Sequence, residues 1–228
     1  LGISAEFVSS IPLPIECRGA VKIKNQAQFN PLKFLFTVAK NLKIYENTKA
    51  LEFLPQKVIC SGGTVTAKKI IITTHFPIIN KHGGYSLKLY QDRSYVIAVK
   101  NGPDVEGMYL EDKGASFSFR NYKNYLLIGS GGNRTGKKGS GYALSEDFCK
   151  KNFPDAQIEY RFATQDCMSL DSIPYIGEYS KGSDNLYVAT GFNKWGMTSS
   201  MVSADILSDM VIGAKNPYAD VFSPSRSS

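Results

Sequence analysis

The sequence contains few of the residues that build metal sites and disulfide frameworks. It has two histidines and four cysteines, and Cys17, Cys60, Cys149 and Cys167 form no Cys-x-x-Cys pair. Scattered cysteines of this kind argue against a zinc site and against the disulfide-rich core of a small secreted domain. We therefore expect no bound metal, reduced thiols and a cytoplasmic protein.

Long hydrophobic runs are also missing. No stretch approaches the ~18 consecutive apolar residues that a membrane-spanning helix requires, and the N-terminal residues do not form a signal peptide. The overall composition is nevertheless 43% hydrophobic, with thirteen tyrosines and thirteen phenylalanines. This composition predicts a globular protein with a substantial core and without a membrane span.

A formal net charge of +7 raises the question of an anionic partner. The lysines are spread thinly along the chain, and the one dense basic cluster lies at residues 134–138. No motif typical of nucleic-acid-binding proteins accompanies it. We interpret the charge as a solvated basic surface and expect no nucleic-acid partner.

Two glycine-rich stretches approach nucleotide-binding motifs but fail at a key position. Residues 131–137 have the spacing of a phosphate-binding loop, yet Lys138 stands where a Ser or Thr should bind magnesium. Residues 139–141 lack the third glycine of a dinucleotide fingerprint, because Leu144 occupies its place. We interpret residues 131–137 as a long, mobile loop near a substrate entrance.

Hydrophobic periodicity predicts helices and many short strands. Asn30-Pro31 predicts a helix start, followed by a core face made of Leu32, Leu35, Val38, Ala39 and Leu42. Gly62-Gly63 predicts the turn of a hairpin, and residues 145–153 a helix. The strands are predicted at residues 19–24, 44–53, 69–74 and 157–164, and as an antiparallel meander at residues 86–89, 94–99, 108–111, 116–120 and 125–129.

Near the C-terminus a predicted strand, residues 186–189, leads through a glycine-bracketed turn into a helix that ends at Gly213. The turn, residues 191–196, holds the chain's single tryptophan, and Thr198, Ser199 and Ser200 could each cap the helix. The predicted core stripe is Met201, Ala204, Leu207 and Val211, with Val202, Ile206 and Met210 beside it. Periodicity alone leaves open a plain strand–helix crossover and a turn that receives a ligand at the positive end of the helix dipole.

Two segments, residues 171–177 and 185–198, resemble the C-terminal flavin-binding segment of FAD-dependent oxidoreductases of the D-amino-acid oxidase, glycine oxidase and sarcosine oxidase class. They are most similar to the glycine/D-amino-acid oxidases (deaminating), some of which carry an appended Rieske domain. Residues 19–31 resemble the same family. The resemblance covers nearly all 228 residues, but as the C-terminal portion of a longer enzyme, because no G-x-G-x-x-G dinucleotide-binding motif follows a strand.

The resemblance implies an α+β fold. An antiparallel or mixed substrate-domain sheet with flanking helices would accompany the C-terminal part of an FAD-binding α/β domain. Residues 1–30 would begin the substrate domain and residues 31–84 would belong to the FAD-binding domain. Residues 85–164 would form the substrate-domain sheet, and residues 165–228 would return to the FAD-binding domain.

The resemblance also assigns site residues. The turn would wrap the flavin pyrimidine ring, and the following helix N-terminus would stabilise the reduced, anionic flavin. The expected cofactor-binding residues are Ala50, Thr73, Thr74, Gly177, Gly191, Phe192, Asn193, Lys194, Trp195, Gly196, Met197 and Thr198. Arg93 and Tyr95 are the expected substrate contacts, with Arg120 and Tyr122 as further polar candidates.

No catalytic acid or base is assigned. We expect His75 to be a hydrogen-bonded structural residue, His82 to lie in a loop, and Cys167 not to attach the flavin covalently. The implied activity is oxidation of the C–N bond of a small amine or amino acid by hydride transfer to FAD. We expect the chain to need a missing N-terminal FAD-binding segment, to bind FAD poorly alone and to be inactive alone. A cofactor-free binding module with a basic surface and one subunit of a split flavoenzyme remain the alternatives.

Overall fold

The computed structural model describes residues 2–79, 83–112 and 116–226. The chain divides into two compact units, Leu1–Lys49 and Ala50–Ser228. Helices and sheets, most of them antiparallel, make up both units, which confirms the predicted α+β class. Among the described residues, no helix is long and apolar enough to cross a membrane. The four-segment domain assignment stays a prediction, and His82 lies outside the described residues.

The first unit contains a strand pair and one helix. Strand β1 (Ala5–Val8) pairs antiparallel with β2 (Ala20–Ile23), and helix α1 covers Pro31–Ala39. The side chain of Asn30 accepts a hydrogen bond of 3.0 Å from the backbone N–H of Lys33. The predicted helix start is therefore confirmed, because its cap depends only on neighbouring residues.

The predicted core face of α1 is wrong. No residue of α1 is buried, and the side chain of Leu32 is 60% exposed. Phe34 and Phe36 are also exposed, on other sides of the helix. Periodicity identified the apolar residues, but the first unit as described provides no layer that covers them.

The second unit contains three sheets and four helices among its described residues. In chain order its elements are β3 (Ala50–Leu54), β4 (Lys57–Cys60), β5 (Gly63–Thr66), β6 (Ile70–Ile72), α2 (Tyr85–Lys88), β7 (Leu89–Lys100), β8 (Met108–Leu110), β9 (Ser118–Tyr122), β10 (Tyr125–Arg134), α3 (Ala143–Asn152), β11 (Gln157–Ser169), β12 (Tyr175–Glu178), β13 (Leu186–Thr190), α4 (Gly196–Ile212) and α5 (Ala219–Phe222).

The first sheet has the order β3-β4-β5 and is antiparallel. Its first strand begins at Ala50 rather than at residue 44, because Asn47, with φ 52°, places the preceding chain in a left-handed turn. The predicted hairpin is confirmed, but its turn is shifted by one residue. Cys60 pairs with Gly63, so the two turn residues are Ser61 and Gly62.

The second sheet is antiparallel throughout and has the order β11-β7-β10-β9-β8. The predicted meander holds for β8, β9 and β10, whereas β7 lies between β10 and β11. The predicted strand at residues 86–89 is wrong, since α2 occupies this position. Tyr85 at the start of α2 is fully buried and donates a hydrogen bond of 2.7 Å to the carbonyl of Tyr179. This contact with a residue distant in sequence outweighs the alternation of polar and apolar residues that predicted a strand.

Residues 131–134, predicted as loop, are the end of β10. Asn133 and Arg134 pair with Arg93 and Asp92 of β7, after an irregularity that follows Ser130. Gly131 has φ 69° at this irregularity. Glycines here permit a β-bulge rather than a loop, so the interpretation of these residues as a long mobile loop is wrong.

The two faces of the five-stranded sheet differ. Helix α3 lies on one face, where Ser145 contacts Ser130 at 2.6 Å and the ring of Tyr142 lies 5.2 Å from that of Tyr95. Alternate residues of a strand point to opposite faces. The other face therefore bears Ser94 and Val96 of β7. Phe162 also lies on this face and is 43% exposed. We therefore call it the free face.

The third sheet has the order β12-β13-β6, in which β13 is antiparallel to β12 and parallel to β6. Helix α4 packs on this sheet through Ile206 and Leu207, which share a buried cluster with Ile176, Tyr187 and Ala189. The predicted strand at residues 186–189 is confirmed, because its apolar run is short and lies between turn residues.

The end of α4 was predicted correctly and its core face in part, whereas its beginning was not. Gly213 terminates the helix with φ 79°. The helix begins at Gly196, and no side chain caps it, so the proposed caps at residues 198–200 are wrong. Ile206 and Leu207 are buried as predicted, and Val202, Met210 and Val211 pack against them. Met201 and Ala204 are exposed, and Ser203 is buried instead.

Candidate functional site

The candidate site lies where two parallel strands end side by side. Thr73 and His75 follow β6, and Gly191 and Phe192 follow the neighbouring strand β13. In α/β sheets, ligands bind beside the carboxyl ends of parallel strands. The turn after β13, residues 191–196, contains Trp195, and we call it the tryptophan turn.

A cleft of about 570 Å³ opens at these strand ends. Its size and its mixture of apolar walls with a few polar groups are typical of small-molecule sites. It is lined by Ile71, Thr73, His75, Cys167, Ala189, Thr190, Gly191, Phe192, Ser200, Ser203, Ala204, Leu207, Ser208 and Val211. The structure thus brings together three of the expected cofactor residues, namely Thr73, Gly191 and Phe192.

A second cleft of about 240 Å³ lies beside the tryptophan turn and shares Phe192 with the first. Its lining residues come from the turn, from α4 and from the segment before β12. They are Ser172, Pro174, Ile176, Phe192, Asn193, Trp195, Thr198, Ser199, Val202 and Phe222. Asn193, Trp195 and Thr198 are therefore placed on this second cleft and not on the first.

The other expected cofactor residues line neither cleft. Lys194, Gly196 and Met197 belong to the turn or to the first turn of α4, whereas Ala50, Thr74 and Gly177 lie elsewhere. Ala50 begins β3, Thr74 donates a hydrogen bond of 2.9 Å to the carbonyl of Phe76, and Gly177 lies in β12 against Pro224. The cofactor-binding roles of all these residues stay predictions.

The two glycines of the turn meet different surroundings. Gly191 has φ 70°, and a Cβ atom added there would lie 3.0 Å from Cδ2 of Leu89 and 3.3 Å from Cβ of Ser169. A Cβ atom added at Gly196 would have no neighbour within 4 Å. Gly191 is therefore required by the fold, whereas Gly196 leaves open space beside the first turn of α4.

Asn193 fastens the turn to the end of β11. Its N–H donates to the carbonyl of Cys167 at 2.9 Å, and its side-chain Oδ1 accepts from the N–H of Ser169 at 3.0 Å. Its Nδ2 donates to the carbonyl of Ser172 at 3.1 Å. The Asn193 side chain is thus occupied by bonds within the protein.

Lys194 extends from the turn to the free face of the five-stranded sheet. Its Nζ lies 2.9 Å from Oδ1 of Asp92, 3.1 Å from Oδ2 of Asp166 and 2.9 Å from Oγ of Ser94. Burial lowers the pKa of Lys194, but its hydrogen bonds to the two carboxylates and their charges outweigh this effect and raise the pKa above its usual value. Lys194 therefore stays charged.

The first turn of α4 is available to a ligand. Trp195 precedes the helix without a side-chain hydrogen bond to its first amides, and its indole is 67% exposed. The first amides of a helix lack partners within the helix, and the helix dipole places about half a positive charge there. An anionic or carbonyl-bearing group is favoured at this position.

Arg93 and Tyr95, the expected substrate contacts, face away from Lys194. They alternate with Asp92 and Ser94 along β7, and Tyr95 packs against Tyr142 beneath α3. The Arg93 guanidinium lies 5.9 Å from the Tyr95 ring. Arg93 lies within β7, which has a neighbouring strand on each side.

Among the lining residues that the sequence did not assign to the site, His75 and Cys167 have the most reactive side chains. His75 is exposed and lines the cleft, while its backbone carbonyl accepts a hydrogen bond of 2.5 Å from Oγ1 of Thr190. Cys167 is buried, and its Sγ lies 3.5 Å from Oγ1 of Thr190. Burial raises the pKa of the Cys167 thiol. A neutral thiol is a poor nucleophile, and the absence of covalent attachment through Cys167 stays a prediction.

Comparisons with known proteins identify the family of the chain. The family model described as FAD dependent oxidoreductase (DAO) matches residues 3–210. YhfW of Bacillus subtilis (strain 168), which is named as a Rieske 2Fe-2S iron-sulfur protein, is 38% identical over 245 residues that cover 99% of this chain and 48% of YhfW.

Solved structures show the same fold. Glycine oxidase from Geobacillus kaustophilus matches with a TM-score of 0.69 and 19% identity, over 82% of this chain and 54% of that one. L-amino acid deaminase from Proteus vulgaris matches with a TM-score of 0.76 and 13% identity, over 100% of this chain and 71% of that one. The chain spans about half the length of YhfW and of the glycine oxidase. Because the family model matches residues 3–210, the chain belongs to the DAO family of FAD-dependent oxidoreductases.

Proposed function

We propose that this chain is the C-terminal part of a flavoenzyme that oxidises the C–N bond of a small amine or amino acid. Bound FAD would supply the acceptor for a hydride from the carbon next to the nitrogen, and water would then hydrolyse the imine. The observation that carries this proposal is the tryptophan turn at the ends of β6 and β13, beside a cleft of about 570 Å³.

The chain's own residues would place the cofactor and its charge. The open space beside Gly196 lets a flat ring approach the backbone. The uncapped first turn of α4 would face the negative charge that the ring gains when it takes up a hydride. Thr73, which follows β6, offers a hydroxyl in the first cleft. Placement and electrostatics of this kind are what a protein contributes to flavin chemistry.

The proposed substrate class rests on the family and on its structural neighbours. Glycine oxidase and L-amino acid deaminase are named for reactions of amino acids. Because their identity to this chain is below 20%, they support a substrate class and no particular substrate. The free face of the five-stranded sheet, which receives Lys194, is the surface that we propose to lie nearest the substrate.

We further propose that another segment completes the cofactor site. The sequence lacks the glycine fingerprint that holds the pyrophosphate, and strand β6 pairs only with β13 among the described residues. Ile71 in β6 is 43% exposed. A βα unit added along this strand would supply both a strand neighbour and a pyrophosphate site, either from the same protein or from a second subunit.

Reconstitution tests the proposal. The 228-residue chain is titrated with FAD alone and after co-expression with a relative's N-terminal segment that carries the glycine fingerprint, and bound flavin is measured by absorbance. We expect weak binding alone and stoichiometric binding in the complex. A complex that assembles but binds no flavin contradicts the proposal. Salt-sensitive retention of the chain on heparin without a flavin response favours the cofactor-free binding module.

A further inference from the structure

Two carboxylates face each other where the tryptophan turn meets the sheet. Asp92 of β7 and Asp166 of β11 are direct partners in the antiparallel register, so their side chains leave the same face of the sheet. The side chains are only 19% and 24% exposed. Like charges in directly opposed positions destabilise a sheet, so this pair needs a compensating cation.

Lys194 supplies that cation from outside the sheet. An ammonium group has three N–H donors, and the Nζ of Lys194 has three acceptors, at 2.9 Å from Asp92, 3.1 Å from Asp166 and 2.9 Å from Ser94. Ser94 also donates to Asp166 at 3.3 Å. The cluster thus neutralises part of the repulsion between the carboxylates and ties the turn to two strands at once.

One other charged group faces the carboxylate pair. Arg134 of β10 lies opposite Asp92 in the register, but its guanidinium stacks 5.0 Å from the ring of Tyr90, and the ion pairs of Asp92 and Asp166 in the described structure are with Lys194. Lys194 is therefore the direct link between the pair and the turn.

We propose that Lys194 is a positioning residue that holds the tryptophan turn in place by bridging Asp92 and Asp166. Asn193 fastens the turn to the end of β11 through backbone partners, and Lys194 fixes its distance from β7. Trp195 comes next and is exposed, so its orientation depends on these two tethers. Lys194 then acts on a cofactor through the turn and not by contact. This consequence rests on the proposed function, whereas the tether itself does not.

Trp195 reports the tether directly, because it is the only tryptophan of the chain. The full chain without flavin is compared with Lys194→Met by tryptophan anisotropy, acrylamide quenching and far-ultraviolet circular dichroism. Lys215→Met, an exposed lysine beyond α4, is the matched control. We expect lower anisotropy and stronger quenching in Lys194→Met with unchanged secondary structure, and parental values in Lys215→Met.

Neutral variants of the two carboxylates separate positioning from a general loss of stability. In the double variant Asp92→Asn with Asp166→Asn, both ion pairs of Lys194 are removed while Lys194 itself is kept. We expect low Trp195 anisotropy in this double variant, as in Lys194→Met. Adding Lys194→Met to give the triple variant should lower the anisotropy no further, because the same tether is already broken.

Parental anisotropy in Lys194→Met would overturn the proposal. If Lys194→Met does not fold, the triple variant Lys194→Met, Asp92→Asn and Asp166→Asn provides the same comparison. The repulsion between the two carboxylates is absent in this variant. The triple variant should fold and show low anisotropy, and parental anisotropy there would equally contradict the tether. Because no flavin is used, failure of this test leaves the proposed function intact, and failure of reconstitution leaves the tether intact.

Discussion

Arg226 and Asp171 lie 55 positions apart and form an ion pair with two hydrogen bonds, with Nε 2.8 Å from Oδ2 and Nη2 3.0 Å from Oδ1. The guanidinium also donates to the carbonyl of Ile173 at 2.7 Å and stacks 3.8 Å from the ring of Tyr175. The end of the described chain is thereby closed onto the segment before β12, which forms one wall of the second cleft.

Replacing Arg226 should destabilise the second unit. The side chains of Arg226 and Asp171 are 13% and 21% exposed, and a hydrogen bond to a charged group contributes about 1.5–3 kcal/mol. We expect Arg226→Met to lower the free energy of unfolding by about that amount in urea titrations. Arg161→Met breaks the exposed pair with Glu146 and should cost less than about 1 kcal/mol. Equal losses in the two variants would show that the Arg226 pair has no special role.

The same pair should make stability depend on pH. The hydrogen bond from Arg226 holds the pKa of Asp171 below its usual value. The stabilisation is therefore fully present above the ordinary carboxyl pKa and is lost as the pH falls through the lower pKa of the folded state. Urea titrations of the parent and of Arg226→Met should converge on acidification through this window. A constant difference between them across the window would contradict this assignment.

The two turn glycines should respond in opposite ways to alanine. Gly191→Ala places a side chain at φ 70° and against Leu89, so we expect a loss of about 1–3 kcal/mol in unfolding free energy. Gly196→Ala meets open space in a helical position and should be neutral or stabilising by up to about 0.5–1 kcal/mol. Comparable losses of unfolding free energy in the two variants would contradict the difference in packing between Gly191 and Gly196.

The buried stripe of α4 can be tested with a matched pair of truncations. Ile206 is fully buried in the cluster with Ile176 and Tyr187, so Ile206→Ala should cost about 2–5 kcal/mol. Met201, which periodicity placed on the core stripe, is 52% exposed, and Met201→Ala should change stability by less than about 0.5 kcal/mol. A larger loss of thermal stability in Met201→Ala than in Ile206→Ala would show that Met201 belongs to the core stripe, as periodicity predicts.

Features that depend on neighbouring residues could be predicted from the sequence. Asn30 caps α1 and Gly213 ends α4 because capping chemistry involves only adjacent positions. The hairpin of β4 and β5 was found because glycines mark tight turns, although its turn was misplaced by one residue. The family was recognised because two short segments of the tryptophan turn region kept both their residues and their spacing.

Features that depend on distant partners could not be predicted. Lys194 meets Asp92 across 102 positions and Asp166 across 28, and nothing in its own segment indicates either carboxylate. Tyr85 forms a helical turn because its hydroxyl reaches Tyr179, 94 positions away. The alternation along β7 does indicate from the sequence that Arg93 and Asp92 point to opposite faces.

The most direct test of the account asks whether bound flavin lies against the tryptophan turn. FAD is titrated into the reconstituted enzyme and into its Trp195→Phe variant, and the difference between their tryptophan emissions isolates Trp195. We predict that this difference signal is quenched in step with stoichiometric flavin binding. Stoichiometric binding that leaves the Trp195 signal unchanged would contradict the claim that residues 191–198 hold the flavin.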